Sequence, residues 1–101
     1  MKIRKSLSKI INIDDKEVKY IYRVIESKLK GVQAFGIEVE RQDLNNGQVI
    51  NLERDSVNIV ATKEKNANEI LMLLFNNIVS PIHLVDIVGE YSDLCVNDFS
   101  F

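Results

Sequence analysis

Residues 16–43 read KEVKYIYRVIESKLKGVQAFGIEVERQD, and this stretch decides the fold. Apolar and polar residues alternate along it with a period of two, which is typical of a strand with one buried face. Lys30 and Gly31 interrupt the alternation, and a two-residue turn containing glycine commonly links antiparallel strands. We therefore predict a β-hairpin with one strand over Lys16–Leu29 and the other over residues 32–43.

The register of the hairpin follows from that turn. Antiparallel pairing sets Val24 opposite Ile37, which joins two apolar side chains on one face. On the other face it sets Arg23 opposite Glu38, and opposite charges across a strand pair are favourable. A slip of one residue would send both pairs to the wrong face, so we predict this register.

A third strand is predicted after the turn signal at residues 45–47, which read NNG. The Asn-Gly dipeptide is a strong signal for a tight hairpin turn. Apolar residues resume over residues 48–52, stop at the charged stretch 53–55 and return over residues 56–60. We predict a strand here with a bulge or bend at residues 53–55.

Two helices are predicted after the strands. Thr62 is a candidate N-cap for a helix over residues 63–76, in which apolar residues recur every three or four positions. Ser80 followed by Pro81 is a typical helix start and predicts a second helix over residues 81–92. The predicted fold class is therefore α+β, with a three-stranded antiparallel β-meander followed by two α-helices packed on one face of the sheet.

The length of 101 residues predicts a single domain. We assign residues 16–92 to this α+β domain, residues 1–15 to an N-terminal basic segment and residues 93–101 to an apolar C-terminal tail. The basic segment fits both a helical stripe and a short strand. The tail fits a free end, a docked segment or an added edge strand.

Composition limits the class of protein. The chain is 46% hydrophobic and 28% charged, which is typical of a folded domain. Cys95 is the single cysteine, so no internal disulfide is expected. No apolar run is long enough for a secretory leader or a membrane span. These features predict a cytoplasmic protein with no membrane partner.

The net charge of −2 conceals two parts of opposite sign. Residues 1–30 carry nine Lys and Arg against four Asp and Glu, whereas residues 31–101 carry four against eleven. Such a split is found in proteins with a basic arm for nucleic acid. It also arises when the two parts pair within the fold, and the predicted Arg23–Glu38 pair favours that interpretation.

A nucleic-acid partner would use the basic arm and the aromatic residues near it. Its candidate residues are Lys2, Arg4, Lys5 and Lys9. Tyr20 and Tyr22 alternate with basic residues on the first strand and could stack on bases. The predicted register places both tyrosines under the helices, however, and a pI near 5.4 is low for a phosphate binder. We therefore keep nucleic acid as an alternative and not as the main expectation.

His83, Asp86 and Glu90 are the candidate residues for a binding or acid–base site. They fall at positions i, i+3 and i+7 of the second helix and can share one helix face. A histidine with two carboxylates can hold a divalent metal. No recognised metal spacing is present, so the alternative is a first-turn histidine with solvated neighbours. We predict no metal and no cofactor, and an enzyme centred on His83 is an alternative function.

The function that we expect is a small non-enzymatic protein-interaction or regulatory module. No phosphate loop, dinucleotide fingerprint or nucleophile motif occurs in the sequence. A small antiparallel sheet leaves two edges that can pair with another chain. The expected partner is another protein or a second copy of this chain.

Two stretches of the sequence carry a family resemblance. Residues 35–40 read FGIEVE and residues 80–86 read SPIHLVD, and both resemble a family of small uncharacterised proteins from clostridia and related Gram-positive bacteria. The first is a general strand pattern, and the second is more distinctive. The resemblance extends from about residue 18 to about residue 91 and implies a cytoplasmic domain of unknown function. It draws attention to Gly36, Ser80, Pro81, His83 and Asp86.

Overall fold

The structure of the protein is a computed structural model that describes residues 2–94, with side chains described through residue 89. Cys95 and the rest of the tail that follows it lie outside the described residues. In the described chain, strands come first and helices follow. Their bounds are β1 Ile3–Ile13, β2 Lys16–Leu29, β3 Val32–Asn45, β4 Gln48–Ala61, α1 Glu64–Asn76 and α2 Pro81–Leu94.

The strands form one sheet in the order β1-β2-β3-β4, and every neighbouring pair is antiparallel. The predicted α+β fold with an antiparallel sheet and two helices is confirmed. The predicted number of three strands is wrong, because residues 3–13 form a fourth strand. Leu7 and Ile11 of β1 pack against the core, whereas Ile3 and Ile10 point to the opposite face.

A turn without glycine explains why the sequence did not predict β1 and its hairpin. Asp14 and Asp15 both have positive φ, 50° and 64°, and link β1 to β2. The other two hairpins turn through residues 30–31 and 46–47, where both φ values are also positive. Turns of this kind match the right-handed twist of the strands. Aspartate tolerates the left-handed region better than most residues, so the Asp-Asp pair forms the same turn at a moderate cost.

We predict that Asp15→Gly raises the free energy of unfolding by about 0.5–1 kcal/mol, because glycine adopts this φ without steric cost. Asp15 is exposed, and its side chain makes no hydrogen bond or ion pair within the described residues, so little is lost. Urea denaturation followed by circular dichroism measures the difference. Asp15→Val is the control, and its β-branched side chain should lower stability. A glycine variant no more stable than the wild type would contradict the prediction.

The predicted register of the β2–β3 hairpin is confirmed, since Arg23 pairs with Glu38 and Val24 with Ile37. The physical reason is the same as in the sequence argument, because this register alone buries the apolar residues on one face and pairs the charges on the other. Basic residues of β2 thus lie opposite acidic residues of β3, which accounts for part of the uneven charge distribution along the sequence.

β4 runs continuously over Gln48–Ala61, so the bulge predicted at residues 53–55 is wrong. These charged residues lie on an exposed edge strand, where they need no burial and do not interrupt the pairing. The irregularities lie nearer the strand ends. The pairing of β4 with β3 shifts register twice, once opposite Gly36 and once next to Asp43.

The two helices cover one face of the sheet and enclose the core. Buried side chains of β2 and β3 form one cluster with those of α1 and α2. The largest of these are Tyr22, Val24, Ile37, Val39, Leu71, Leu74, Leu84 and Val88, each at most 1% exposed. α2 begins at Pro81 as predicted, whereas the N-cap of α1 is Lys63 and not Thr62. Within residues 2–94, neither helix has the length and apolar character needed to cross a membrane.

The opposite face of the sheet carries no helix in the described chain, and we call it the helix-free face. Strand alternation and the observed register assign its side chains. From β1 to β4 they include Ile3, Ser6, Ser8, Ile10, Lys19, Ile21, Arg23, Ile25, Glu38, Glu40, Gln42, Leu52, Arg54 and Ser56. Ile3, Ile10 and Leu52 are about half exposed there, so this face is apolar as well as charged.

Candidate functional site

His83 lies in the first turn of α2 and lines a cavity of about 430 Å³. The connection between α1 and α2 forms the cavity, with Asn77, Ile78 and Ser80 beside His83. The His83 side chain is exposed and makes no hydrogen bond or ion pair with the described side chains. The structure therefore gives this histidine a cavity and, among the side chains described, no partner that would orient it for acid–base chemistry.

The two predicted companions of His83 contribute little to the described geometry. Asp86 is exposed on α2, and Glu90 lies in the same helix with its side chain outside those described. Among the described residues, no group of three His, Cys, Asp or Glu side chains is placed to hold a metal ion. A site built on His83, Asp86 and Glu90 stays a prediction.

Ser80 and Pro81 have structural roles at the start of α2. The carbonyl oxygen of Ser80 accepts the backbone N–H of His83 at 3.0 Å. The hydroxyl of Ser80 lies 3.3 Å from the hydroxyl of Tyr20, which joins the helix start to β2. Pro81 is buried at the first helical position, where a missing N–H costs nothing. Ser80 and Pro81 of the motif SPIH thus both contribute to the docking of α2.

Ile78 has a strained backbone beside the cavity. Its φ is +52°, which is unusual for a β-branched residue. The N–H of Ile78 donates to the carbonyl of Phe75 at 3.3 Å, and that of Val79 donates to the carbonyl of Leu74 at 3.1 Å. This is the hydrogen-bond pattern of an α-helix that ends in a residue with left-handed backbone angles, a position where glycine is usual. The strained turn buries Val79 and directs its carbonyl to the sheet.

Tyr20 and Tyr22 are both buried, at 3% and 0% exposure, as the predicted register requires. The hydroxyl of Tyr22 donates to the carbonyl of Val79 at 3.0 Å. Burial raises the pKa of Tyr22, and the neighbouring Tyr20 adds to the increase. Rings buried under the helices cannot stack on bases, so the aromatic part of the nucleic-acid hypothesis loses its support.

Arg4 is the one candidate nucleic-acid residue of the described chain that is held by carboxylates. Its Nε donates to Glu64 at 2.6 Å and its Nη1 to Glu26 at 3.2 Å. These two contacts join β1 to α1 and to β2 on the helix-covered face. Arg4 is therefore a bridging residue whose charge is already compensated.

The three lysines near it are not compensated in this way. Lys2 precedes β1, and Lys5 and Lys9 lie on it. No described carboxylate is within ion-pair distance of any of the three. The ammonium of Lys9 lies 3.9 Å from the centroid of the Phe75 ring, an attractive contact that leaves its charge unneutralised. The structure thus places along one edge of the sheet a row of lysines that no described carboxylate neutralises.

Glu40 is the main polar feature that sequence reasoning missed. Its side chain is 3% exposed although it lies on the helix-free face. Arg54 donates to it from Nη2 at 2.6 Å and from Nε at 2.9 Å, and Arg23 donates at 3.3 Å. Gln42 donates at 2.5 Å to its other oxygen. Arg23 also bonds to Glu38 at 2.5 Å, which is the predicted pair.

The electrostatics of this cluster follow from its hydrogen bonds. Burial on its own would raise the pKa of Glu40, but the bonds from Gln42, Arg54 and Arg23 outweigh burial and lower it. Glu40 raises the pKa of Arg54 in return. The carboxylate is therefore a charged structural group at neutral pH, and its proton is not available for acid–base chemistry.

One signal in the sequence could have located this cluster. Antiparallel pairing across the turn at residues 46–47 brings Arg54 close to Glu40, provided that residues 53–55 stay in the strand. Simple pairing sets Glu53 opposite Glu40, however, and the shift in register next to Asp43 moves Arg54 into that place. The bulge that makes this shift has no clear signature in the sequence.

The fold and these surfaces can be set beside known proteins. A sequence model of a family of unknown function, DUF6514, matches residues 1–94. The chain belongs to this family. The DUF6514 match extends from β1 through α2 and is longer than the resemblance at residues 18–91 indicated. No curated protein and no solved structure matches the chain. Membership of DUF6514 brings no activity, ligand or partner with it.

Proposed function

We propose that the protein is a non-enzymatic protein-interaction module that binds an extended, acidic segment of a partner protein along the free edge of β1. The observation that carries this proposal is the combination of a regular edge strand, paired within residues 2–94 with β2 alone, and lysines that no described carboxylate neutralises. The bound segment becomes a fifth strand of the sheet, a mode of recognition known as β-augmentation.

The backbone of β1 supports the proposal. From Lys5 to Ile13 each residue pairs with one residue of β2 without a shift in register. The other edge of β1 therefore presents a regular row of N–H and C=O groups to an incoming strand. β4, the opposite edge, is less suited because its pairing shifts register at two places and twists the edge away.

The side chains of β1 define the chemistry of the partner. On the helix-covered face, Lys5 and Lys9 alternate with the partly buried Leu7 and Ile11. An antiparallel partner strand would set acidic residues against the two lysines and apolar residues between them. Each opposite-charge pair across strands contributes about 0.2–1 kcal/mol, and the backbone hydrogen bonds add affinity that does not depend on sequence.

The same lysines could bind a phosphate backbone, which is the alternative that the test must separate. Both tyrosines of β2 are buried, so the sheet offers no platform for bases. The chain as a whole is negatively charged, which repels nucleic acid at long range. An edge strand, by contrast, is specific for a polypeptide because only a peptide backbone can continue its hydrogen bonds.

The test uses a fluorescein-labelled peptide with the sequence Val-Thr-Glu-Thr-Val-Thr-Glu, whose acidic and apolar residues match β1 in antiparallel register. Fluorescence anisotropy measures its affinity. Two N-methylated versions carry the methyl groups on opposite sets of alternate residues. We expect one version to lose binding and the other to keep it, since an added strand uses only one of its two edges.

Lys5→Glu is expected to weaken peptide binding by about tenfold, because it replaces one attractive pair with a repulsive one. Lys65→Glu, an equal charge change at an exposed position of α1, is the matched control and should leave the affinity nearly unchanged. If both N-methylated peptides bind as well as the unmodified one, strand addition is wrong. If a single-stranded oligonucleotide binds tightly and the peptide does not, the partner is nucleic acid and the proposal fails.

A further inference from the structure

We infer that the helix-free face is the docking surface for a second copy of this chain, related to the first by a two-fold axis that runs parallel to the strands. The inference goes beyond the proposed function and uses another surface, because face-to-face packing leaves the edge of β1 free. It rests on how the side chains of this face are arranged across the four strands.

The register lines up the helix-free face in rows that run across the sheet. One row is Ile10, Lys19, Gln42 and Leu52, from β1 to β4. A second row is Ser6, Arg23, Glu38 and Ser56. The first row is apolar at both ends, and the second has opposite charges at its centre.

A two-fold axis parallel to the strands keeps each row at its own level and reverses its order. β1 then lies over β4 of the partner subunit, and β2 lies over β3 of the partner subunit. Ile10 faces Leu52 of the partner subunit, and Leu52 faces Ile10 of the partner subunit. These two side chains are 57% and 47% exposed in the single chain, so each apolar contact removes exposed surface at both ends of the row.

The same rotation matches charge with charge. Arg23 faces Glu38 of the partner subunit, and Glu38 faces Arg23 of the partner subunit. The whole face is neutral, because Lys19, Arg23 and Arg54 balance Glu17, Glu38 and Glu40. No net repulsion opposes the contact of two such faces.

Desolvation of Arg23, Glu38 and Glu40 is largely complete before docking, whereas the Arg54 side chain is 52% exposed. Glu40 is 3% exposed, and the Arg23 and Glu38 side chains are 20% and 21% exposed and bonded to each other. A second copy therefore covers ion pairs that are already formed around Glu38 and Glu40. Burying an unpaired charge is the step that makes a polar interface unfavourable.

The size of the face suits a modest dimer. Four strands about 4.8 Å apart, each with about ten residues of about 3.3 Å rise, cover roughly 600 Å² in projection. Side-chain relief increases the accessible area, so two copies would bury about 1,200 Å² or more, at the lower end of specific interfaces. Two sheets packed in this way lie about 10 Å apart and cross at about 30°.

Pairing of two copies through β1 is the competing arrangement, and the charges disfavour it. An antiparallel β1–β1 pair centred on Leu7 would set Lys5 directly against Lys9 of the partner subunit, and like charges opposite each other destabilise a strand pair. The helix-free face has the opposite property of self-complementarity. The two arrangements also respond differently to substitutions on the helix-free face.

Sedimentation velocity from about 1 μM to about 1 mM, a range of Kd that corresponds to about −8 to −4 kcal/mol, tests the inference. We expect a concentration-dependent shift from monomer to dimer. Ile10→Lys and Leu52→Glu should each weaken dimerisation by more than about tenfold, because each change appears twice in a symmetric dimer. The double variant should recover most of the loss, since each new charge then faces its opposite across the axis.

Ile82→Lys is the matched control, a similar change at a 75% exposed position on α2 outside the face, and it should not alter dimerisation. Circular dichroism of every variant establishes that the fold is intact. Wild-type protein that stays monomeric throughout the range overturns the inference. A dimer that resists both single substitutions, or that the double variant fails to recover, overturns the proposed arrangement. Peptide binding at β1 is measured separately, so either proposal can fail alone.

Discussion

Glu40→Leu is expected to lower the free energy of unfolding by about 3 kcal/mol, at the low end of the range for removing one partner of a buried ion pair. The change removes the acceptor of Gln42, leaves Arg54 with only the Glu38 carboxylate at 3.8 Å and deprives Arg23 of one of its two carboxylates. The loss stays near 3 kcal/mol because Arg54 keeps half of its side chain in water and can be solvated there. Urea denaturation at neutral pH measures it.

The same carboxylate predicts how stability depends on pH. The pKa of Glu40 is lowered in the folded protein, so its contribution is fully present above the ordinary pKa of about 4.3 in the unfolded chain. It is lost as the pH falls through the lower pKa of the folded state. We therefore expect the difference in stability between the wild type and Glu40→Leu to be largest near neutral pH and to shrink below about pH 4.

Two variants make this prediction specific. Glu40→Gln keeps hydrogen-bond acceptance without charge and should be intermediate in stability, with a weaker pH dependence. Glu69→Gln removes an exposed carboxylate from α1 and should behave like the wild type. A Glu40→Leu variant as stable as the wild type would mean that the arginines find other partners and that the cluster is not essential to the sheet.

Gly36→Ala is expected to lower the free energy of unfolding by about 3 kcal/mol, the upper end of the usual cost of overpacking. A Cβ atom at this position would lie 2.5 Å from the carbonyl oxygen of Val57 and 2.7 Å from the carbonyl carbon of Asn58. Both belong to the backbone of β4 where its pairing shifts register, so neither can move without displacing the strand. Thermal and urea denaturation measure the loss.

Gly89→Ala is the matched control for this substitution. Gly89 lies in α2, and a Cβ atom there meets nothing within 4 Å. Alanine favours a helix interior over glycine, so this variant should gain about 0.5–1 kcal/mol. Similar behaviour of the two variants would show that the close approach of β4 at Gly36 does not matter to the fold.

The hairpin of β2 and β3 could be predicted from sequence because its turn and its two faces agree. Alternation over many residues, a glycine turn and an opposite-charge pair at Arg23 and Glu38 all indicate the same register. β1 could not be predicted in the same way. Its apolar residues fit two periods, and its turn at Asp14 and Asp15 lacks the glycine that signals a hairpin.

The candidate sites, too, were predictable from the sequence only in part. The sequence indicated the basic residues of the N-terminal segment but not that Lys5 and Lys9 lie on the outermost strand. It did not indicate that Glu40 is buried, because its partner Arg54 reaches it only through a shift in register. Such a shift depends on backbone geometry at a few positions and not on a pattern that extends along the strand.

The position of β1 at the edge of the sheet has a consequence for aggregation of the protein after local unfolding. Within the described chain β1 pairs with β2 and with no other strand, so it is the strand expected to detach first in a local opening. Its departure would uncover the edge of β2 along residues 20–25, which read YIYRVI. A short segment so rich in aromatic and β-branched residues, with one charge and no proline, has the composition that seeds cross-β aggregates. The N-terminal strand therefore also protects the edge of β2 from intermolecular pairing. Its loss by proteolysis or truncation would convert a folded domain into an aggregation-prone one.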